Sequence, residues 1–226
     1  MVLKQHRDND DVLIIDASKG FVKEGKNNKL RECDIKRIAD TVRDRKTVPG
    51  YSRTVSRDEI RQNGYNLNIP RYVDSSDPVE KFDIYATMFG GIPHSEIDEL
   101  QKYWDTFPSL REELFIADAD KPYSQLKTED TQSFIEQNAD VKAFQQMFAQ
   151  AFGGFADSVH HRLIDQIATA NPQKELDAIS DDIFARLHGM PLIDRYAAYQ
   201  ALADNWQGIT NDIETIQQEG LSLIHI

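Results

Sequence analysis

Gly64-Tyr65-Asn66-Leu67-Asn68-Ile69-Pro70-Arg71-Tyr72-Val73-Asp74 is the most diagnostic stretch of this chain. Gly64 suits the left-handed position that ends a helix, because it has no Cβ to clash. Pro70 drives the preceding residue out of helical geometry, so Leu67 to Ile69 should be extended. Just upstream, Ser56-Arg57-Asp58-Glu59 spells a capping box, in which a hydroxyl accepts the N3 amide proton and the N3 carboxylate reaches back. Pro49-Gly50 marks a turn and Tyr51 to Val55 an extended segment.

Further upstream, Val12-Leu13-Ile14-Ile15 is apolar without alternation, the signature of a strand covered on both faces. Met1–Leu3 and Asp11–Asp16 read as a β-hairpin around His6–Asp11. A lone pair of strands is not stable, so further strands are expected to neighbour it. Lys19 to Asn28 reads as a polar loop with two glycines. A helix is predicted over 32–46, with Ile35, Ile38, Ala39 and Val42 forming one apolar face.

The 226 residues carry 26 Lys/Arg and 38 Asp/Glu, a net charge of −12 that is unevenly spread. Residues 1–75 hold 16 basic and 12 acidic residues, net +4, and residues 76–226 hold 10 and 26, net −16. Only the first third is suited to a phosphate-rich partner; the rest suits protein partners or solvent. No apolar run approaches the roughly 20 residues that span a bilayer, and no signal core is present, so no membrane role is expected. The single cysteine, Cys33, excludes an internal disulfide and a cysteine zinc site and predicts a cytoplasmic setting.

Ser75-Ser76-Asp77-Pro78 is the expected domain boundary. Beyond His94 the pattern reads as almost wholly helical. Ser95 should cap a helix with Ile97, Leu100, Trp104 and Phe107 on its buried stripe. Asp140 should cap a long helix with Phe144, Phe148, Phe152 and Phe155 as core, kinked at Gly153-Gly154. Asn171-Pro172 starts another helix, ended by Gly189. The last helix should run over 191–218, bearing Tyr196, Tyr199 and Trp206. Residues 221–226 follow Gly220 as an apolar, uncapped tail, read as non-native or frayed.

Four segments, in order, carry a family resemblance: Val12-Leu13-Ile14-Ile15-Asp16-Ala17-Ser18-Lys19, Tyr51-Ser52-Arg53-Thr54-Val55-Ser56, Asn66 to Asp74, and Phe89 to Leu100. Leu192-Ile193-Asp194-Arg195-Tyr196, with Tyr199 and Trp206, is a weaker fifth. Together they resemble the C-terminal part of the modification (M) subunit of type I restriction-modification systems, which are N6-adenine DNA methyltransferases. The resemblance implies a mainly α chain. Residues 1–75 would be the trailing α/β portion (last strand hairpin and helix) of a Rossmann-like methyltransferase domain, and 76–226 a helical assembly domain. It implies S-adenosylmethionine as methyl donor of the intact enzyme. It also implies a specificity subunit, a second M subunit and a nuclease-translocase subunit as partners, and DNA bound through the assembled complex.

The family's Asn-Pro-Pro-aromatic tetrapeptide is not in this sequence; Asn171-Pro172-Gln173 is a helix start. No Gly-x-G loop follows a strand either. No catalytic, cofactor-binding or metal-binding residue is therefore assigned, and the chain is expected to be inactive alone and to serve subunit assembly. Lys36, Arg37, Arg43 and Lys46 are candidates for DNA phosphate contacts, or else a solvated helix face diluted by Asp34, Asp40 and Asp44. Tyr196, Tyr199 and Trp206 are candidates for a subunit interface, or else plain core. A self-contained acidic helical adaptor is the alternative.

Overall fold

A computed structural model describes residues 9–76, 82–118 and 120–219. Among these the chain is mainly helical, with three small antiparallel sheets. It divides into two compact units: Met1–Val79 with Tyr196–Asp204, and Glu80–Arg195 with Asn205–Ile226.

In the first unit, β1 (Val12–Ile15) pairs antiparallel with β4 (Ser52–Val55), Ile14 opposite Arg53. The expected partner Met1–Leu3 lies outside the described residues. Burial of β1 on both faces is not observed: Ile14 is buried and its three neighbours are half-buried. The reason is that β1 and β4 form a two-stranded sheet among the described residues, which leaves much of its surface open. Ile14, Val55, Ile60, Tyr72 and Val73 make the core, with Val55 at 0% exposure. The Asn66–Asp74 stretch thus closes this core. Tyr72 and Val73 enter it, and the Tyr72 hydroxyl donates to the Asn66 carbonyl at 2.6 Å.

Helix α2 (Arg57–Gln62) begins as predicted, the Ser56 hydroxyl accepting the Glu59 amide at 3.2 Å. The Glu59 carboxylate does not reach back to the cap. It takes Arg53 in a two-pronged pair at 2.9 Å, tying α2 to β4. Gly64 sits at φ 64°, in the left-handed position. Of Leu67 to Ile69, Asn68 is extended as expected, but Ile69 opens a 3₁₀ turn over Ile69–Arg71, Pro70 fitting its first turn where no amide donor is needed.

Two further expectations fail here. Lys19 to Asn28 is not a plain loop: β2 (Val22–Glu24) and β3 (Asn27–Lys29) form an antiparallel hairpin. Gly25, at φ 62°, supplies the positive angle that two-residue hairpin turns require. Helix α1 (Glu32–Asp44) has the predicted span, but it is turned the other way. Cys33, Asp34, Asp40 and Thr41 are buried, whereas Ile35 and Val42 are 47% and 51% exposed.

The second unit is less purely helical than its sequence suggested. β5 (Ile92–Pro93), β7 (Tyr123–Leu126) and β6 (Phe115–Ala117) form a sheet in that order. The helical stretch after Pro93 is broken at Leu100 into α4 (His94–Glu99) and α5 (Gln101–Thr106), and Leu100 is exposed. Pro93, not Ser95, occupies the cap position of α4. Trp104 is held in the core by its indole N–H, which donates to the Ile97 carbonyl at 2.6 Å. α6 (Pro108–Leu114) and α7 (Thr131–Gln137) lead to α8 (Ala139–Ala151). Asn138 caps α8; Asp140 instead accepts the Ser109 amide and hydroxyl, both at 2.8 Å.

Gly153 and Gly154 end this helix rather than kink it, and α9 (Phe155–His160) starts anew. Phe144, Phe148, Phe152 and Phe155 are not fully buried. The last three form a ladder, with ring centroids 4.8 and 5.5 Å apart. Asn171 and Pro172 open α10 (Pro172–Arg186) as predicted. α11 (Arg195–Glu219) starts four residues later than expected, after Leu192 at φ 65°.

Candidate functional site

The polar concavity of the first unit lies where β1 leaves its sheet. Its volume is about 220 Å³, and Asp16, Lys19, Arg31, Asp34, Arg37 and Tyr51 are among the residues that line it. Two of the quoted sequence segments meet here: Asp16 to Lys19 ends the first, and Tyr51 begins the second. Ser75, one residue past the third, donates its hydroxyl to Asp16. With the Ser18 amide and hydroxyl, that bond holds the Asp16 carboxyl below its usual range.

Asp34 organises the other wall. It accepts the Arg31 backbone amide at 3.0 Å and the guanidinium at 2.9 and 3.0 Å. These bonds hold its carboxyl below the usual range against the opposing effect of burial. Gly20 approaches so closely that a Cβ there would fall 2.7 Å from an Asp34 carboxylate oxygen. Asp34 therefore bonds the end of the β2–β3 hairpin at Arg31 and packs closely against Gly20 before its start. Arg37 lies 3.9 Å from the centre of the Tyr51 ring, a stacked cation–π arrangement.

The four cations named as candidates for phosphate contacts each have a partner within the chain. Lys36 pairs with Asp40 at 3.3 Å, Arg43 with Asp40 and Asp44 at 3.1 and 2.9 Å, and Lys46 with Asp44 at 2.8 Å. Arg43 and Lys46 together hold the Asp44 carboxyl down to about 2. Arg37 is committed to Tyr51.

Tyr196 and Tyr199 fall in the first unit and Trp206 in the second. Tyr199 and Trp206 are buried, and Tyr196 is half-buried with its hydroxyl 3.4 Å from Asp40. Nearby, the Gln200 side chain accepts the Cys33 amide at 2.9 Å, fixing the start of α1. Sequence reasoning missed Gly20, Arg31 and the hairpin between them; the density of lysines over 19–31 was the available signal.

The described residues contain no group of three or more His, Cys, Asp or Glu placed to hold a metal. No helix among them is long and apolar enough to cross a membrane.

Comparison with known proteins adds the following. Residues 1–81 match the model for N-6 DNA Methylase. The type I restriction enzyme MpnII methylase subunit of Mycoplasma pneumoniae is 39% identical over 85 residues, 37% of this chain and 16% of that protein. The MjaVIII methylase subunit of Methanocaldococcus jannaschii is 36% identical over 104 residues, 44% of this chain and 17% of that protein. A solved methyltransferase subunit of a type I restriction-modification system from Streptococcus thermophilus is 42% identical. Its TM-score is 0.32, and the match covers 33% of this chain and 16% of that one. The matched stretch thus spans about a sixth of the length of these relatives. Residues 1–81 are thus similar to N-6 DNA methylases, and the relatives that share this stretch are methylase subunits of type I restriction enzymes.

Proposed function

We propose that this chain acts as the trailing part of a type I methylase (modification) subunit, one that transfers methyl from S-adenosylmethionine to adenine N6 in DNA. The observation that carries this is α1. It lies inside the matched residues, yet Ile35 and Val42 stand half exposed, with Ala39 exposed and Ile38 half-buried beside them. An amphipathic helix keeps an apolar stripe because something covers it. The relatives are about six times longer than the stretch they share with this chain. The missing cover is the Rossmann-like sheet of the methylase domain, supplied by further methylase polypeptide.

The described residues offer no strand–turn–helix unit of the kind that receives the methyl donor. The strand pairs of the described residues are antiparallel, so none forms the parallel strand–glycine turn–helix unit that receives such a cofactor. The concavity beside Asp16, at about 220 Å³, is smaller than the roughly 300–1,000 Å³ typical of ligand pockets. Donor and flipped adenine belong to the remainder of the domain. This chain's contribution is assembly: completing that domain and docking the specificity subunit, a second methylase subunit and the nuclease-translocase subunit, with DNA held by the whole.

A second reading, an acidic helical adaptor, has one observation in its favour. In the second unit α3 (Ile84–Phe89) exposes Ile84, Met88 and Phe89, beside exposed Phe82. Calorimetry separates the two. The chain alone is expected to show no S-adenosylmethionine binding. Mixed with methylase polypeptide covering the part that precedes the matched stretch, it should restore cofactor binding and adenine methylation. A chain that restores neither would leave the adaptor standing.

A further inference from the structure

We infer that the β2–β3 hairpin, carrying Lys23, Lys26 and Lys29 and flanked by Lys19 and Arg31, is a phosphate-contacting ribbon for duplex DNA; this rests on the methylase reading above. Three observations converge on it. The first is charge. Of the 16 basic and 12 acidic residues in 1–75, residues 19–31 hold five and one. The rest of that region holds 11 of each, so the hairpin segment carries its entire net charge of +4. The second is exposure: every residue of β2 and β3 is exposed, on both faces of the ribbon. Such a hairpin buries no apolar face, and an isolated two-stranded ribbon is marginally stable at best. Folding of the core gives no reason to keep it. The third is mounting. Asp34 holds Arg31, just past β3, through three hydrogen bonds, and Gly20, just before β2, packs closely against the same carboxylate.

Arg31 is ion-paired with Asp34, so the lysines of the ribbon itself, Lys23, Lys26 and Lys29, are the groups offered to phosphate. Lys29 meets Glu24 at 3.3 Å, both more than 60% exposed, a surface pair that a phosphate oxygen can displace. Lys23 lies 5.8 Å from the Phe21 ring, which keeps its ammonium in place without cancelling its charge. Flexible ammonium groups on an exposed ribbon suit backbone phosphates, which position a duplex without reading its sequence.

The test is binding of the chain to a 30-base-pair duplex, measured as a function of salt. Each phosphate contact contributes about −0.9 to the slope of log K against log salt. The triple variant Lys23→Gln, Lys26→Gln, Lys29→Gln should reduce that slope by about 2.7. Replacing the same three by arginine should preserve it. Lys36→Gln, Arg43→Gln, Lys46→Gln should leave the slope nearly unchanged. An unshifted far-ultraviolet spectrum and melting temperature for the triple glutamine variant would show that its fold is intact. A slope lost with the α1 variant but kept with the hairpin variant overturns the inference and leaves the methylase reading intact. Absence of duplex binding by the unaltered chain at 20 mM salt also overturns it. That failure is distinguishable from failure of the methylase reading, which the restored methylation reports.

Discussion

The double substitution Ile35→Gln, Val42→Gln probes the outward face of α1. Full burial of a valine or isoleucine side chain is worth roughly 1.5–3 kcal/mol. About half of each is already covered, at 47% and 51% exposure, so covering the remainder contributes about 1 kcal/mol per residue. Losing both should weaken association with the preceding methylase polypeptide by about 2 kcal/mol, or about 30-fold. The isolated chain should barely respond. Surface substitutions usually stay within about 0.5 kcal/mol, and glutamine is at least as good a helix former as isoleucine or valine. The assay pairs urea unfolding of the chain alone with calorimetric titration against the methylase polypeptide. Two results would refute the reasoning. Unfolding destabilised by about 2 kcal/mol or more would mean the stripe is core within this chain. Unchanged association would mean that the methylase domain does not cover this face.

Further outcomes follow from the packing. Val55→Ala removes two methyl groups from the fully buried centre of the first unit's core and should cost about 2 kcal/mol in urea unfolding. Trp104→Phe deletes the indole donor to the buried Ile97 carbonyl and should cost about 1–3 kcal/mol, read from the same measurement. Asp34 has a folded pKa below its unfolded value, so its stabilisation is fully present above the unfolded carboxylate pKa and is lost as pH falls through the folded one. Asp34→Asn should therefore flatten the acid limb of the stability profile below about pH 4, measured by thermal melting across pH. Gly20→Ala forces Asp34 aside and should raise amide exchange at residues 22–29 while β1 and β4 remain protected.

Local signals were faithfully written in the residues. The Ser56 hydroxyl cap, Gly64, and Asn171 with Pro172 each state a backbone hydrogen-bond or φ requirement within four positions, and each appears where predicted, although the Glu59 half of the capping box does not. The span of α1 was legible for the same reason: its apolar residues recur at helical spacing. The family resemblance was legible because Asn66 to Asp74 obeys no generic rule, and its Tyr72 and Val73 prove to be core.

The hairpin at 22–29 was illegible because a ribbon exposed on both faces needs no alternation of apolar and polar residues. The polar cap of α8 shifted from Asp140 to Asn138 because Ser109, 31 residues earlier in the chain, claimed the aspartate. Periodicity alone established that α1 has an apolar and a polar side. Which side turns inward was decided only in three dimensions, where Asp34 and Asp40 are buried with Arg31, Lys36 and Arg43 as their ion partners. A carboxylate can be buried when its charge is paired, and no single-residue scale registers that pairing.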